Sequence, residues 1–168
     1  VLSILLDREW RELRESLGVT YGMDFAVEHV GKRSLLVART KVEPPATRTA
    51  VEMLEGVLRT VATQPIDAGE AEFAKRTAMW GYAQTSHAVG DATWRQIGNM
   101  REKRQIGFEK ERVRHVASLR ASEIEEAAKS MLTRPSVIVV VGPVGPEIDE
   151  LAKKLGRSIV RYTAEALN

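Results

Sequence analysis

The feature that most constrains the fold of this chain is a change of hydrophobic period at Gly18. Before Gly18, large apolar side chains recur every three or four residues, which is typical of one face of a helix. These side chains are Leu2, Leu6, Trp10, Leu13 and Leu17. After Gly18, apolar and polar residues alternate from Val19 to Glu28, as in a strand with one buried face. The sequence therefore predicts a helix that is followed directly by a strand.

The next segments extend this pattern into a β-hairpin and a series of helices. A turn near Gly31 leads to a second predicted strand, Leu35 to Val42. Pro44 and Pro45 then start a helix that Gln64-Pro65 ends. Asp67 and Glu70 have the spacing of a capping box, which predicts a long helix to about Gln84. Further helices are predicted over Asp91 to Gln105, Phe108 to about Leu119, and from a cap at Ser122 and Glu125 to Leu132.

Strand-like segments return near the end of the sequence. Ser136 to Val141 is an uninterrupted β-branched run, which predicts a strand buried on both faces. A short helix from Glu147 to Leu155, closed by Gly156, leads to a last predicted strand near Ile159 to Tyr162. We therefore expect residues 1–168 to form a single α+β domain, with helices packed on one face of a mostly antiparallel sheet.

Composition removes several classes of function. The 25 Lys and Arg residues exceed the 23 Asp and Glu residues by only two, and a net charge of +2 is too small to indicate nucleic-acid binding. The chain has no cysteine, which excludes disulfides, thiolate metal sites and a cysteine nucleophile. The longest apolar run, Val137 to Val141, is far shorter than the roughly 18–20 residues of a membrane span.

No local motif supplies a self-contained active site. The three histidines, His29, His87 and His115, are too far apart in sequence to share a helical turn, so no histidine-pair zinc motif is present. The segment from Gly142 to Gly145 stands where a phosphate loop would be expected, but it lacks the Gly-Lys-Ser/Thr pattern, and Pro143 and Pro146 remove amide donors. Catalytic and metal-ligating residues are therefore not expected in this chain.

One basic segment leaves RNA binding open as an alternative. Trp94 lies near four cations, Arg95, Arg101, Lys103 and Arg104. Glu102 interrupts this set, and Glu109 and Glu111 follow it. The pattern favours a solvated helix face over an RNA surface.

The segment Leu13 to Tyr21 resembles a known family. It reads Leu-Arg-Glu, two residues, Gly, two residues, Tyr, as does the start of the C-terminal homologous domain of the pitrilysin/insulinase zinc metallopeptidases. This family includes the mitochondrial processing peptidases and many bacterial zinc proteases. Three later segments are similar to the family in the same order, so that the resemblance covers essentially the whole chain. They are Ile66 to Lys75, Leu119 to Ile124, and Ser136 to Pro143.

The resemblance implies a role in proteolysis. In this family, homologous α+β sandwich domains face each other across a closed chamber. The N-terminal domain binds zinc through an inverted His-x-x-Glu-His motif and a distal Glu, and the C-terminal domain contributes an Arg and a Tyr that bind substrate. The chain is accordingly expected to be the substrate-binding half of a zinc metalloendopeptidase and not to be catalytic alone. Arg14 and Tyr21 would bind the peptide backbone, and zinc would belong to a parent or partner domain, in cis or in trans.

The sequence also departs from the family pattern. Only some twelve residues precede the Leu-Arg-Glu segment, so the first sheet strand is expected to be missing and the domain to be incomplete at its N-terminus. An exposed sheet edge of this kind predicts self-association. A second hypothesis remains open: relatives without chemistry serve as scaffold or partner subunits of larger complexes. For a bacterial source, the resemblance favours the periplasm.

Overall fold

The computed structural model describes residues 1–17, 22–30, 33–87, 89–105, 107–143 and 145–162. Within these ranges the chain forms seven helices, one 3-10 turn at Pro44–Ala46, and two strands. In chain order they are α1 Leu2–Leu17, β1 Met23–Val30, β2 Arg33–Thr40, α2 Thr47–Thr63, α3 Ala68–His87, α4 Val89–Arg101, α5 Phe108–Ser118, α6 Ala121–Leu132 and α7 Pro146–Lys154. No helix in these ranges is long and apolar enough to cross a bilayer.

The two strands form an antiparallel hairpin in which Met23 is opposite Thr40 and Phe25 is opposite Ala38. The face that carries Met23 and Phe25 is buried, because alternate residues of a strand point to the same side. On the opposite, exposed face, Arg39 forms ion pairs with Asp24 and Glu28. The alternation after Gly18 therefore predicted the orientation of the hairpin correctly, whereas residues 19–21 lie outside the described part of the chain.

Helix α1 contributes to two hydrophobic clusters. The first cluster joins α1, the hairpin and α2, and its buried members are Leu6, Trp10, Met23, Phe25, Met53 and Val57. The second joins α1 to α3 and α6, and its buried members are Leu5, Ile66, Ala71, Ala74 and Ile124. Leu5 and Leu6 are adjacent in sequence and point about 100° apart on the helix, so one turn of α1 reaches both clusters. This arrangement fixes the axis of α1 on two sides.

Helix caps agree only in part with the sequence prediction. The capping box before α3 is confirmed: the Glu70 amide donates to Asp67 Oδ1 over 2.9 Å, and the Asp67 amide donates to Glu70 Oε2 over 3.3 Å. The predicted cap at Ser122 and Glu125 is wrong, because α6 begins at Ala121 and the Arg120 amide donates to Glu123 over 2.8 Å.

A parallel ladder of ion pairs holds α7 against α2. Three pairs join residues that are separated by the same number of positions, which requires the two segments to run in the same direction. The pairs are Arg48–Glu150 at 3.4 Å, Glu52–Lys154 at 3.0 Å and Glu55–Arg157 at 2.8 Å. Leu151 is the buried apolar residue of α7.

The prediction of a mostly antiparallel sheet is wrong for the described residues, which contain the β1–β2 hairpin as their only sheet. Ser136 to Val141 and Ile159 to Tyr162 form no strand there, and Val137, Val139 and Val141 are 88%, 78% and 93% exposed. A β-branched run becomes a strand only where a neighbouring strand accepts and donates hydrogen bonds. Neither segment pairs with the hairpin, so the fold is α+β but predominantly helical.

Candidate functional site

Arg14 is placed by the helix that carries it. Leu5, Leu6 and Trp10 bury one face of α1, and Arg14 follows Trp10 by four residues on the same side of the helix. The side chain is consequently half-buried and lies in the last turn, where a cation interacts favourably with the helix dipole. The sequence therefore predicted the secondary structure around Arg14 correctly.

The electrostatic environment of Arg14 differs from that of the other α1 arginines. Arg8 forms ion pairs with Glu12 at 2.9 Å and with Glu70 at 3.2 Å, and Arg11 forms one with Asp7. Arg14 forms neither an ion pair nor a hydrogen bond with any residue that the structure describes. None of the described residues therefore occupies its five guanidinium N–H donors.

Tyr21, the second predicted substrate-binding residue, lies outside the described residues. The segments on either side of it are described: α1 ends at Leu17, and Thr40 Oγ1 donates a hydrogen bond of 2.6 Å to the Gly22 carbonyl. That bond ties the start of β1 to the end of β2. The role of Tyr21 in binding the peptide backbone stays a prediction.

Among the described residues, no three His, Asp or Glu side chains come together in a way that could hold a metal ion. His115 is exposed on α5, and the side chains of His29 and His87 are not described. The described residues therefore do not fit a zinc ion.

The turn before α7 is satisfied internally. The Gly145 amide donates to Glu147 Oε1 over 3.1 Å, so a carboxylate of the chain itself lies at this helix N-terminus. A phosphate group would have to displace that carboxylate. The geometry is that of an ordinary turn into a helix.

A separate cleft of about 520 Å³ lies between α3, α4 and α5. The lining includes two aromatic rings, two amide side chains and a carboxylate: Tyr82, Phe108, Gln96, Asn99 and Glu109. Every lining residue lies between positions 82 and 114, so none comes from α1 or the hairpin. The cleft and Arg14 are thus built from different elements.

A buried polar pair forms one wall of this cleft. Asn99 Nδ2 donates to Glu109 Oε1 over 2.9 Å, and both residues are buried. Arg104 donates to Asn99 Oδ1 over 3.3 Å, and Arg112 Nε lies 3.6 Å from Glu109 Oε2. These contacts link α4 to α5 across the intervening turn. Sequence reasoning missed them, because nothing in the local pattern distinguishes Glu109 from a solvated glutamate of an exposed helix.

Aromatic rings engage several of the cations that left RNA binding open. The Arg95 guanidinium lies 4.7 Å from the centre of the Tyr82 ring, and the Arg104 guanidinium lies 4.3 Å from that of Phe108. Arg104 also forms an ion pair with Glu102. Trp94 is 73% exposed. Since two of the four cations are held against rings of the protein, the segment offers less charge to a phosphate backbone than its sequence suggests.

Lys75, the last residue of the segment Ile66 to Lys75, has a structural role in this fold. Lys75 Nζ donates to the carbonyls of Ala117 and Leu119, over 3.2 Å in each case, and lies 3.0 Å from Glu72. The side chain of Lys75 is only 14% exposed. Lys75 therefore caps the C-terminal end of α5 and belongs to the scaffold rather than to a ligand site.

Comparison with known proteins identifies no relative: no family model, no curated protein and no solved structure matches the chain. The basis for a functional assignment is thus the Leu-Arg-Glu…Tyr segment and the environment of Arg14.

Proposed function

We propose that this chain is the substrate-binding half of a zinc metalloendopeptidase, in which Arg14 and Tyr21 bind the backbone of the peptide substrate. Zinc belongs to a homologous domain that joins this one in cis or in trans. The chain has no catalytic activity alone, because it supplies contacts to the substrate rather than the metal site.

The observation that carries the proposal is that the Arg14 guanidinium has no ion-pair or hydrogen-bond partner among the residues that the structure describes. Of the three arginines on α1, two neutralise carboxylates of the chain, and Arg14 has no such partner among the described residues. The helix dipole favours a cation at this position, but the half-buried guanidinium has lost part of its hydration and gains no hydrogen bond from a described residue in return. A ligand carbonyl or carboxylate would supply the missing acceptor.

The chemistry of the two side chains suits a peptide in extended conformation. Such a peptide presents carbonyl oxygens at regular intervals, and a planar guanidinium binds one of them without reading the neighbouring side chain. A phenol hydroxyl can donate a hydrogen bond to the oxygen on which negative charge develops during amide cleavage. The pair accordingly provides positioning and charge stabilisation and leaves side-chain preference to other parts of the assembly.

The proposal is tested by using the full chain as bait in an extract of its native source and assaying the captured fraction for peptide cleavage. Cleavage that requires the bound partner and is abolished by a zinc chelator is the expected result. The bait alone should be inactive. A captured partner without chelator-sensitive cleavage would contradict the proposal and favour the scaffold hypothesis.

A cis arrangement is tested separately by expressing the chain fused to whatever its gene encodes upstream of Val1. Cleavage by the fusion protein, lost when a chelator is added, would support the proposal in its cis form. An inactive fusion protein, together with an inactive captured fraction, would contradict both forms.

A further inference from the structure

The segment between Pro135 and Pro143 is uncharged and strongly apolar, yet much of it lies on the surface. Val137, Val139 and Val141 are 88%, 78% and 93% exposed, whereas the intervening Ile138 and Val140 are half-buried. Alternating exposure of this kind is typical of extended backbone with one free face. Exposed strands in natural proteins usually carry charges or prolines that prevent pairing, and residues 136–141 carry neither.

The backbone of this segment makes no hydrogen bond to another described backbone group, at any amide or carbonyl of residues 135–143. One end is nevertheless fixed, because Arg157 donates to the Ser136 carbonyl over 2.7 Å and forms an ion pair with Glu55 at 2.8 Å. The result is a segment that is anchored at Ser136 and whose backbone donors and acceptors beyond Ser136 make no bond to another described backbone group, so that a second strand can pair with them.

We propose that two copies of this chain dimerise by antiparallel pairing of residues 136–142 about a two-fold axis at Val139. The proposal is independent of the proteolytic function proposed above, since Arg14 lies on a different element. The partner strand is the same segment of a second copy.

The exposure pattern fixes the register of the pair. Residues directly opposite each other in an antiparallel pair point to the same face, so the three exposed valines must oppose one another. Centring the axis on Val139 meets this condition: Val139 opposes its own counterpart, and Val137 opposes Val141. Pro135 and Pro143 then oppose each other at both ends, where their missing amide donors end the ladder.

Charge favours a second copy in this orientation. Arg134 precedes the segment and forms no ion pair with a described residue, and Glu147 follows it and likewise forms none. In an antiparallel pair, the beginning of one segment lies beside the end of the other. Arg134 of each copy is thereby brought to the end that carries Glu147 of its partner, twice by symmetry, whereas a parallel pair would place like charges together.

Cysteine crosslinking tests the register directly, because the chain contains no cysteine of its own. Under mild oxidation, Val139→Cys should form a covalent dimer, since residues directly opposite in the pair have Cβ atoms about 4.5–5.5 Å apart. Val137→Cys alone should form no covalent dimer, because the two substituted side chains of the pair lie four residues, about 13 Å, apart along it. A mixture of Val137→Cys and Val141→Cys should crosslink. Val160→Cys, at a valine that is 71% exposed elsewhere, controls for random collision.

Charge variants test the association without a covalent bond. Val139→Lys places two lysines opposite each other and should weaken dimerisation at least about tenfold in sedimentation equilibrium, whereas Val160→Lys should leave it unchanged. Arg134→Glu and Glu147→Arg should each weaken the dimer, because each creates two like-charged contacts. Mixing these two variants should restore association, since the mixed dimer has complementary charges at both ends.

Three results would overturn the proposal. The first is a chain that stays monomeric at every accessible concentration. The second is a dimer that Val139→Lys leaves intact, and the third is crosslinking of Val139→Cys no faster than that of Val160→Cys. Crosslinking of Val139→Cys only to a different captured protein would assign the segment to that protein and would equally overturn a dimer of this chain.

Discussion

At the scale of single residues, the sequence of α1 predicts which side chains are buried but not which arginines form ion pairs. The helical period identifies which side chains face the core, and Leu6 and Trp10 are indeed almost fully buried. The same period does not distinguish Arg11, which forms an ion pair with Asp7, from Arg14, which has no described partner. Whether an arginine of α1 is paired depends on which carboxylates lie within reach of its guanidinium, and this follows from the side-chain positions rather than from the helical period.

Arg14→Ala should reduce kcat/KM of the active assembly roughly 10- to 100-fold, because a hydrogen bond to a charged donor contributes about 1.5–3 kcal/mol. Tyr21→Phe should reduce it by about 10²–10³, the usual effect of losing a donor to a developing oxyanion. Steady-state kinetics on a peptide substrate measures both. Arg11→Ala is the matched control, since it removes a cation from the same helix whose partner is a carboxylate of the chain. Equal effects of Arg11→Ala and Arg14→Ala would contradict the assignment.

Glu9 provides a prediction about pH. Burial, followed by the nearby charges of Glu12 and Glu70, raises the pKa of Glu9 above its ordinary value. The ionised form of Glu9 is therefore disfavoured in the folded state. This lowers the free energy of unfolding at neutral pH, and the loss disappears once the pH falls below the pKa that Glu9 has in the unfolded chain. Glu9→Gln should increase the free energy of unfolding at pH 7 by a few tenths of a kcal/mol, after allowance for solvent screening.

Urea denaturation at a series of pH values checks this prediction. The difference between Glu9→Gln and the unaltered chain should shrink as the pH falls through the carboxylate range. Glu15→Gln, at an exposed position of the same helix, should show little effect at any pH. A destabilising Glu9→Gln substitution at neutral pH would show that the ionised carboxylate is needed.

At the scale of elements, helices were predictable where their signals are local. Asp67 and Glu70 lie within one turn of each other, and the capping box they predict is present. Ser122 and Glu125 show the same spacing but do not cap α6, because Glu125 instead accepts a hydrogen bond of 2.8 Å from the Ile66 amide, 59 residues away. A local pattern cannot reveal such a distant competitor.

Lys75 tests how much a distant contact stabilises a helix end. Lys75→Met keeps most of the apolar stem and removes the bonds to the Ala117 and Leu119 carbonyls, which should lower the free energy of unfolding by about 1.5–3 kcal/mol. Arg76→Met is a matched control, because Arg76 contacts the same Glu72 but its side chain is 76% exposed. An exposed ion pair of that kind contributes about 0–1 kcal/mol. Equal losses in urea denaturation would contradict the capping role of Lys75.

At the scale of the whole molecule, the α+β class was predictable and the size of the sheet was not. The two hairpin strands are adjacent in sequence, so each pairs with the strand next to it along the chain. Ser136 to Val141 has equal or greater strand propensity but meets no neighbouring strand among the described residues. Propensity specifies what a segment would form, and the presence of a partner determines whether it does.

The two clusters that meet at α1 predict how the molecule unfolds. Leu6→Ala should cost about 2–5 kcal/mol, because Leu6 is fully buried in the cluster with the hairpin. Leu5→Ala should cost a comparable amount through the other cluster. Leu17→Ala, at a site that is 55% exposed on the same helix, should change stability by no more than about 0.5 kcal/mol.

Thermal unfolding followed by both far-ultraviolet and tryptophan signals measures these effects. A single coincident transition in each variant is expected, since α1 couples the two clusters. Separate transitions for the two signals would show that the clusters unfold independently.

The ladder between α2 and α7 implies that this part of the molecule opens before the rest. Its ion pairs become less exposed along the chain, from Arg48–Glu150 to Glu55–Arg157, and Leu151 adds one buried apolar side chain. At physiological ionic strength, charges are screened over about 8 Å, so exposed pairs weaken while buried leucines do not. Amide protons of α7 should therefore exchange with solvent well before those of α1, and added salt should widen the gap. The salt concentration therefore sets how often α7 separates from α2 while the rest of the molecule stays folded.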